Sequence, residues 1–306
     1  MTSTTAISKA VSVRNSDGLY DAQIIRECPS VFAAAAHESR SDRYNYIATK
    51  EILGALRQAD FWPTEVMQSG SRLEGMGGFT KHLIRIRHKS DLGNMNRGDV
   101  FEIVLINSHN GTSTYQLMSG VFRMICSNGL IKGDVASRIR VQHSGRNELD
   151  AIIQATYKIA EEGPALMQSI QEMKQIQLPR EEQLLLAKYA MYARFNLEDP
   201  TTAESNVVES TGYTLHRETD MLPVASATIP YEPANFLRRR RSDDAGNDLY
   251  TTLNVVQENV LKPGVRKYDK QGHKHSVRGV NGIDQNVKVN SLIFSFAEEL
   301  KKLHQS

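Results

Sequence analysis

"VFEIVLINSHNGTSTYQLMSGVFRMICSNGL", residues 100–130, decides how the chain folds. "VFEIVLINS" is an apolar, β-branched run of the kind that forms strands. "SHNGT" then supplies turn chemistry, because Asn110-Gly111 is a turn dipeptide and Ser108 and Thr112 can bond local backbone groups. Beyond the turn, Leu117, Val121, Met124 and Ile125 recur at helical spacing. Thr114 is placed to cap such a helix, and Asn128, Gly129 and Leu130 match a helix stop. The spacing predicts a strand over 102–107 and a helix over 115–127, with a second strand as the alternative. Asn107, His109, Gly111, Arg123, Asn128 and Gly129 read as a structural turn-and-helix motif, with Arg123 a candidate to pair with Glu102.

Upstream, "TKEILGALRQADF" predicts a helix capped by Thr49, with Ile52, Leu53, Leu56 and Ala59 on one face. "WPTEVMQSG" and "FTKHLIRIRH" predict extended segments. In the second, Phe79, Lys81, Leu83, Arg85 and Arg87 share one face, and Thr80, His82, Ile84, Ile86 and His88 the other. "SRIRVQHSG" predicts a further strand. From 147 the pattern becomes helical, in "ELDAIIQATYKIAEEGPALMQSIQEMKQIQ" and "PREEQLLLAKYAMYARF". Two more helices follow, "DLYTTLNVVQENVL" and "NVKVNSLIFSFAEELKKL". The fold class is α+β, with a mixed or antiparallel sheet in the N-terminal half and a mainly helical C-terminal half. Residues 1–19 read as a loose arm, 20–146 as the α+β core, and 147–306 as the helical region. The last contains a long excursion at 198–236 and a basic segment at 238–282.

The composition, 40% hydrophobic and 24% charged over 306 residues, is that of a folded globular chain. No apolar run approaches the roughly 20 residues of a membrane helix, and the opening residues lack the pattern of a signal peptide. Cys28 and Cys126 are the two cysteines, too few for a disulfide framework or a Cys-rich zinc module and suited to a reducing cytosol. The net charge of +2 hides an asymmetry. Arg238, Arg239, Arg240 and Arg241 run consecutively, and Lys262, Arg266, Lys267, Lys270, Lys274 and Arg278 follow them. Such clustering favours an anionic partner.

No phosphate-binding loop, dinucleotide fingerprint or nucleophile elbow occurs, so neither ATP use nor a cofactor is expected. Cys126 lies three residues from Arg123, which could activate an exposed thiol, but its apolar neighbours favour a buried structural role. His82, His88 and His109 with Glu102 form the strongest metal hypothesis, although His82 and His88 would stand about 20 Å apart on one strand. Phosphate contacts are better supplied by Lys81, Arg85 and Arg87 on one strand face and by the two C-terminal clusters. Phe79, Trp62 and Tyr115 are available to stack on bases.

"EIVLINSHNGTS", "GVFRMICSNGL", "VVQENVLKPGVR" and "RGVNGIDQNVKVNSLIFSFAEEL" together resemble the phage- and plasmid-borne family catalogued as domain of unknown function 932, from about Pro29 to Leu300. That resemblance implies a cytoplasmic protein of a bacterial mobile element and supplies no catalytic residue or cofactor. The predicted helix, three strands and helix between 49 and 129 also resemble, at the level of fold, single-strand annealing recombinases, which hold DNA in a basic groove without ATP.

The leading expectation is a non-enzymatic nucleic-acid-binding protein acting in recombination or DNA protection, with single-stranded DNA as partner, no membrane association and self-association into an oligomer. One alternative is a metal-dependent nuclease or other hydrolase using His82, Glu102, His109 and Arg123. Another is an anti-restriction protein whose partner is a host protein.

Overall fold

The computed structural model describes residues 10–41, 44, 46–93, 98–123, 128–131, 138–141, 148–195, 231–268 and 273–306. In chain order the main elements are β1 (Val11–Arg14), α1 (Asp21–Glu27), α2 (Thr49–Gln58), β2 (Phe61–Gln68), β3 (His82–His88) and β4 (Asp99–Asn107). β5 (Tyr115–Arg123), β6 (Asn128–Ile131), β7 (Arg138–Val141), α3 (Glu148–Glu161), α4 (Gly163–Gln175) and α5 (Arg180–Phe195) follow. The last elements are α6 (Leu249–Leu261), β8 (Arg266–Tyr268), β9 (Lys274–Ser276) and α7 (Ile283–Gln305). They fall into two compact units, one within residues 1–124 and 136–163, the other within 125–135 and 164–306. No described helix is long and apolar enough to cross a membrane.

In the first unit β1, β2, β3, β4 and β5 pair antiparallel in succession, and β7 pairs with β5. The alternation of side chains in each strand fixes what each face carries. Ile84 and Ile86 of β3, Ile103 and Leu105 of β4, and Tyr115 and Leu117 of β5 join Ile52, Leu53 and Leu56 of α2 and Ile152 and Ile159 of α3 in one buried core. The opposite face carries Arg85, Glu102 and Phe122, with Leu83, Val104 and Met118, all buried.

Three expectations are corrected here. Residues 115–123 are a strand, paired with β4 from Asp99↔Arg123 to Ile106↔Gln116. Helical spacing misled because a separation of four, as in Leu117 and Val121, also returns to the same face of a strand. Asn128–Ile131 is likewise a strand, not a helix stop. Val11–Arg14, read as part of a loose arm, is β1, with Val11 and Val13 packed against the core. Cys126 and the predicted helix's last turn lie outside the described residues, as does most of the excursion at 198–236.

The second unit is built on α5, α6 and α7, which pack against one another, with β6 against α6 and α7. α6 carries few exposed groups, being buried from Leu249 to Val260 except at Thr251. Its Asn254, Gln257, Glu258 and Asn259 are therefore interior polar residues.

Candidate functional site

The first concentration of polar chemistry lies at one end of the sheet. α2 begins at Thr49, whose side chain is not a cap; Ala48 holds the cap position. Thr49 turns inward instead. Its Oγ1 accepts from Asn107 Nδ2 at 3.0 Å and lies 3.0 Å from His82 Nε2 and 3.3 Å from His109 Nε2. The other side of the His82 ring meets Ser30 Oγ at 3.1 Å. One hydroxyl proton cannot serve two rings, so at least one of the two imidazoles donates to Thr49. His82 and His109 lie with ring centroids 5.2 Å apart, and all five residues are completely buried. Burial, together with the neighbouring His109, lowers the His82 pKa to about 3, against a weaker opposing hydrogen bond from the ring to the Thr80 carbonyl. A neutral, enclosed histidine of this kind holds the end of the sheet together and is not exposed to solvent among the described residues.

A second concentration occupies the opposite face. Glu102 is fully buried and accepts from Arg85 Nη1 at 2.9 Å and from Arg87 Nε at 2.7 Å. Arg85 Nε also lies 3.3 Å from Glu65, which pairs with Arg14 at 2.6 Å. The Arg87 and Arg14 guanidiniums stand over the Phe122 ring at 4.2 and 4.9 Å. Such groups satisfy one another inside the fold.

This placement revises the predicted site. Arg85 and Arg87 are 4% and 2% exposed and do not present their charge to phosphate; Lys81 is partly exposed. Tyr115 is buried and Trp62 packs against Tyr20 and under Arg57, so neither is an open stacking platform. Of the alternative catalytic set, His82 and His109 come together. Glu102 belongs to the other sheet face, and Arg123 lies at the far end of β5, opposite Asp99. His88 is exposed at the other end of β3, beside Phe61 and Ser90. No group of three metal-ligating side chains occurs among the described residues. Cys28 is buried, and its burial, with Glu27 adding, pushes the thiol up to about 12, which removes it as a nucleophile.

The C-terminal basic residues divide into two kinds. Arg241 grips Glu258 with two bonds of 2.6 Å, and Lys262 adds a third at 3.0 Å. Although burial opposes it, the hydrogen bonds from Arg241 and Lys262 hold the Glu258 carboxyl below the ordinary range. Arg240 donates to Asn259 Oδ1 and the Pro263 carbonyl, and Arg239 to Asn247 Oδ1 and the Gly246 carbonyl. The arginine run is thus fastened to α6, with Arg238, Arg239 and Arg240 still exposed. Sequence reasoning missed Glu258; its only signal was a carboxylate in a helix otherwise free of charge.

The second kind forms a ribbon. β8 and β9 pair antiparallel from Arg266↔Ser276 to Tyr268↔Lys274. The ribbon is rooted by Val265 and Val277, which are buried and joined by a 2.8 Å backbone bond. Beyond that root, Arg266, His273, Lys274, His275 and Arg278 are exposed. The side chains of Lys267 and Lys270 lie outside the described residues.

Comparison with known proteins is consistent across nearly the whole chain. The UPF0380 protein YafZ of Escherichia coli (strain K12) is 33% identical over 288 residues, covering 94% of this chain and 93% of that relative. The UPF0380 protein YfjQ of the same organism is 32% identical over 288 residues, with the same coverage. No solved structure matches. The family model described as "Domain of unknown function (DUF932)" matches residues 36–293, and the chain belongs to that family.

Proposed function

We propose that the protein binds nucleic acid without ATP, through the ribbon 266–276 and the arginines beside it. The observation that carries this reading is an exposed antiparallel ribbon whose segment from Arg266 to Arg278 holds five Lys or Arg residues against one acidic residue, Asp269. A two-stranded ribbon has the width to lie in a duplex groove, and its exposed cations can equally follow the phosphates of a single strand. The inward pairing of Arg85 and Arg87 with Glu102 favours the ribbon over those two arginines as the interface. Pairing or protection of single-stranded DNA is the activity proposed for the whole chain.

Fluorescence anisotropy with labelled single- and double-stranded DNA and RNA over a salt series tests it. Binding is expected to fall linearly in log–log form with salt. Replacing Arg266, Lys274 and Arg278 together by Gln is expected to flatten the slope by about 2–3, since each lost phosphate contact contributes about 0.7–0.9. Binding that ignores salt, or a triple variant with the parent slope, overturns the reading.

A further inference from the structure

A cleft of about 530 Å³ opens in the second unit between the start of α5 and the segment preceding α6. Its polar lining is Arg180, Gln183, Arg239 and Asn247, with Leu178 and Leu237 as apolar wall; no acidic residue lines it among the described residues. Each arginine is held by one nitrogen. Arg180 Nη1 lies 3.4 Å from Gln183 Oε1, and Arg239 Nη2 bonds Asn247 Oδ1 and the Gly246 carbonyl. The remaining guanidinium N–H groups, on Nε and Nη2 of Arg180 and on Nε and Nη1 of Arg239, have no partner among the described residues, and neither arginine makes an ion pair there. Neither first-turn acid of α5 forms an ion pair with them: Glu182 lies 2.7 Å from His304 Nε2, and Glu181 lines a separate groove with Leu184 and Leu185.

We propose that this cleft binds the terminal phosphate of a nucleotide. A phosphate monoester carries up to two negative charges and three acceptor oxygens, matching the two guanidiniums that line the cleft. The positive end of the α5 dipole lies beside the cleft, offset by Glu181 and Glu182 in its first turn, so the arginines are the source of the field. The volume falls in the usual range for small-ligand sites, roughly 300–1,000 Å³, and the leucine wall suits the apolar faces of sugar and base. The phosphate belongs either to a free mononucleotide or to the end of a strand. Nothing in the cleft depends on the ribbon. The same arginine run nevertheless serves both, because Arg239 lines the cleft while Arg240 binds the Pro263 carbonyl near the ribbon's root.

Isothermal titration of the full chain with a nucleoside monophosphate, the matching nucleoside and inorganic phosphate tests the proposal, alongside R180Q and R239Q. The monophosphate is expected to bind and the nucleoside not. Each variant is expected to bind about tenfold more weakly, the loss of one charge-assisted contact, with R180Q melting like the parent. Equal binding of nucleoside and nucleotide, an unaffected R180Q, or no binding of any phosphate compound at millimolar concentration overturns it. Short strands with and without a 5′-phosphate identify the source. Preference for the phosphorylated strand assigns the cleft to strand ends, and preference for the mononucleotide assigns it to free nucleotide. The ribbon variant lacking Arg266, Lys274 and Arg278 is expected to keep nucleotide binding; if it loses it, the phosphate site is on the ribbon and the cleft is not one.

Discussion

Glu102 occupies a site where a single carboxylate answers two buried guanidiniums. Removing its charge in E102Q takes a carboxylate partner from both Arg85 and Arg87 in the interior, Arg85 keeping Glu65, with an expected loss of about 3–5 kcal/mol in urea unfolding. His82 gives the sheet's other face a pH dependence. Its folded pKa, about 3, lies below the ordinary value of 6.5, so the unfolded chain binds more protons between those values. The contribution of His82 is whole above about 6.5 and is lost as pH falls toward about 3. The unfolding midpoint should drop over that window, and H82Q should drop less steeply than the parent. Gly111 has φ +74°, and a Cβ there would also meet the Arg40 side chain; G111A is expected to cost about 1–2 kcal/mol by the same assay. Alternation in "HLIRIRH" placed Arg85 and Arg87 on one face and the histidines on the other correctly. That the arginine face is buried too was not legible, because the carboxylates that neutralise those arginines come from β2 and β4.

At the scale of elements, β2 and β3 were readable as extended segments, β4 as a β-branched apolar run bounded by a turn, and the helices from α5 to α7 as long stretches with few breakers. β5 was not. In "YQLMSGVFR" both faces are buried, so the apolar residues fall at spacings that fit a helix and a strand alike. Ser119 and Gly120 in the middle, both poor helix formers, were the local clue. The ribbon β8–β9 escaped notice for another reason: its strands are three residues each and polar throughout, and only the buried pair Val265 and Val277 marks its root. α6 shows the converse, a correctly read helix whose interior polar residues do mechanical work. Glu258 fastens the arginine run to it, and because Arg241 and Lys262 are partly exposed, E258Q should cost a moderate 1–3 kcal/mol, roughly the worth of its charged hydrogen bonds. Amide exchange in residues 238–244 should rise in the same variant.

For the whole molecule, the net charge of +2 is a poor guide, since many of its cations are already spent internally on Glu65, Glu102, Glu172 and Glu258. A charge count becomes informative only after those pairs are subtracted, and the subtraction needs coordinates. R85Q is accordingly expected to lower stability while leaving the salt slope of nucleic-acid binding unchanged; a changed slope would put Arg85 in the interface. The path of the chain has a consequence for synthesis. Neither unit is one unbroken stretch, because residues 125–135 belong with 164–306 and residues 136–163 with 1–124. A ribosome that has released only the first five strands has not yet supplied β7 or α3, so β5 waits with one edge open and the sheet's core lacks Ile152 and Ile159. A single cut after residue 163 keeps every residue of the first unit together with 125–135, whereas a fragment beginning at residue 164 lacks the strand β6 on which α6 and α7 rest.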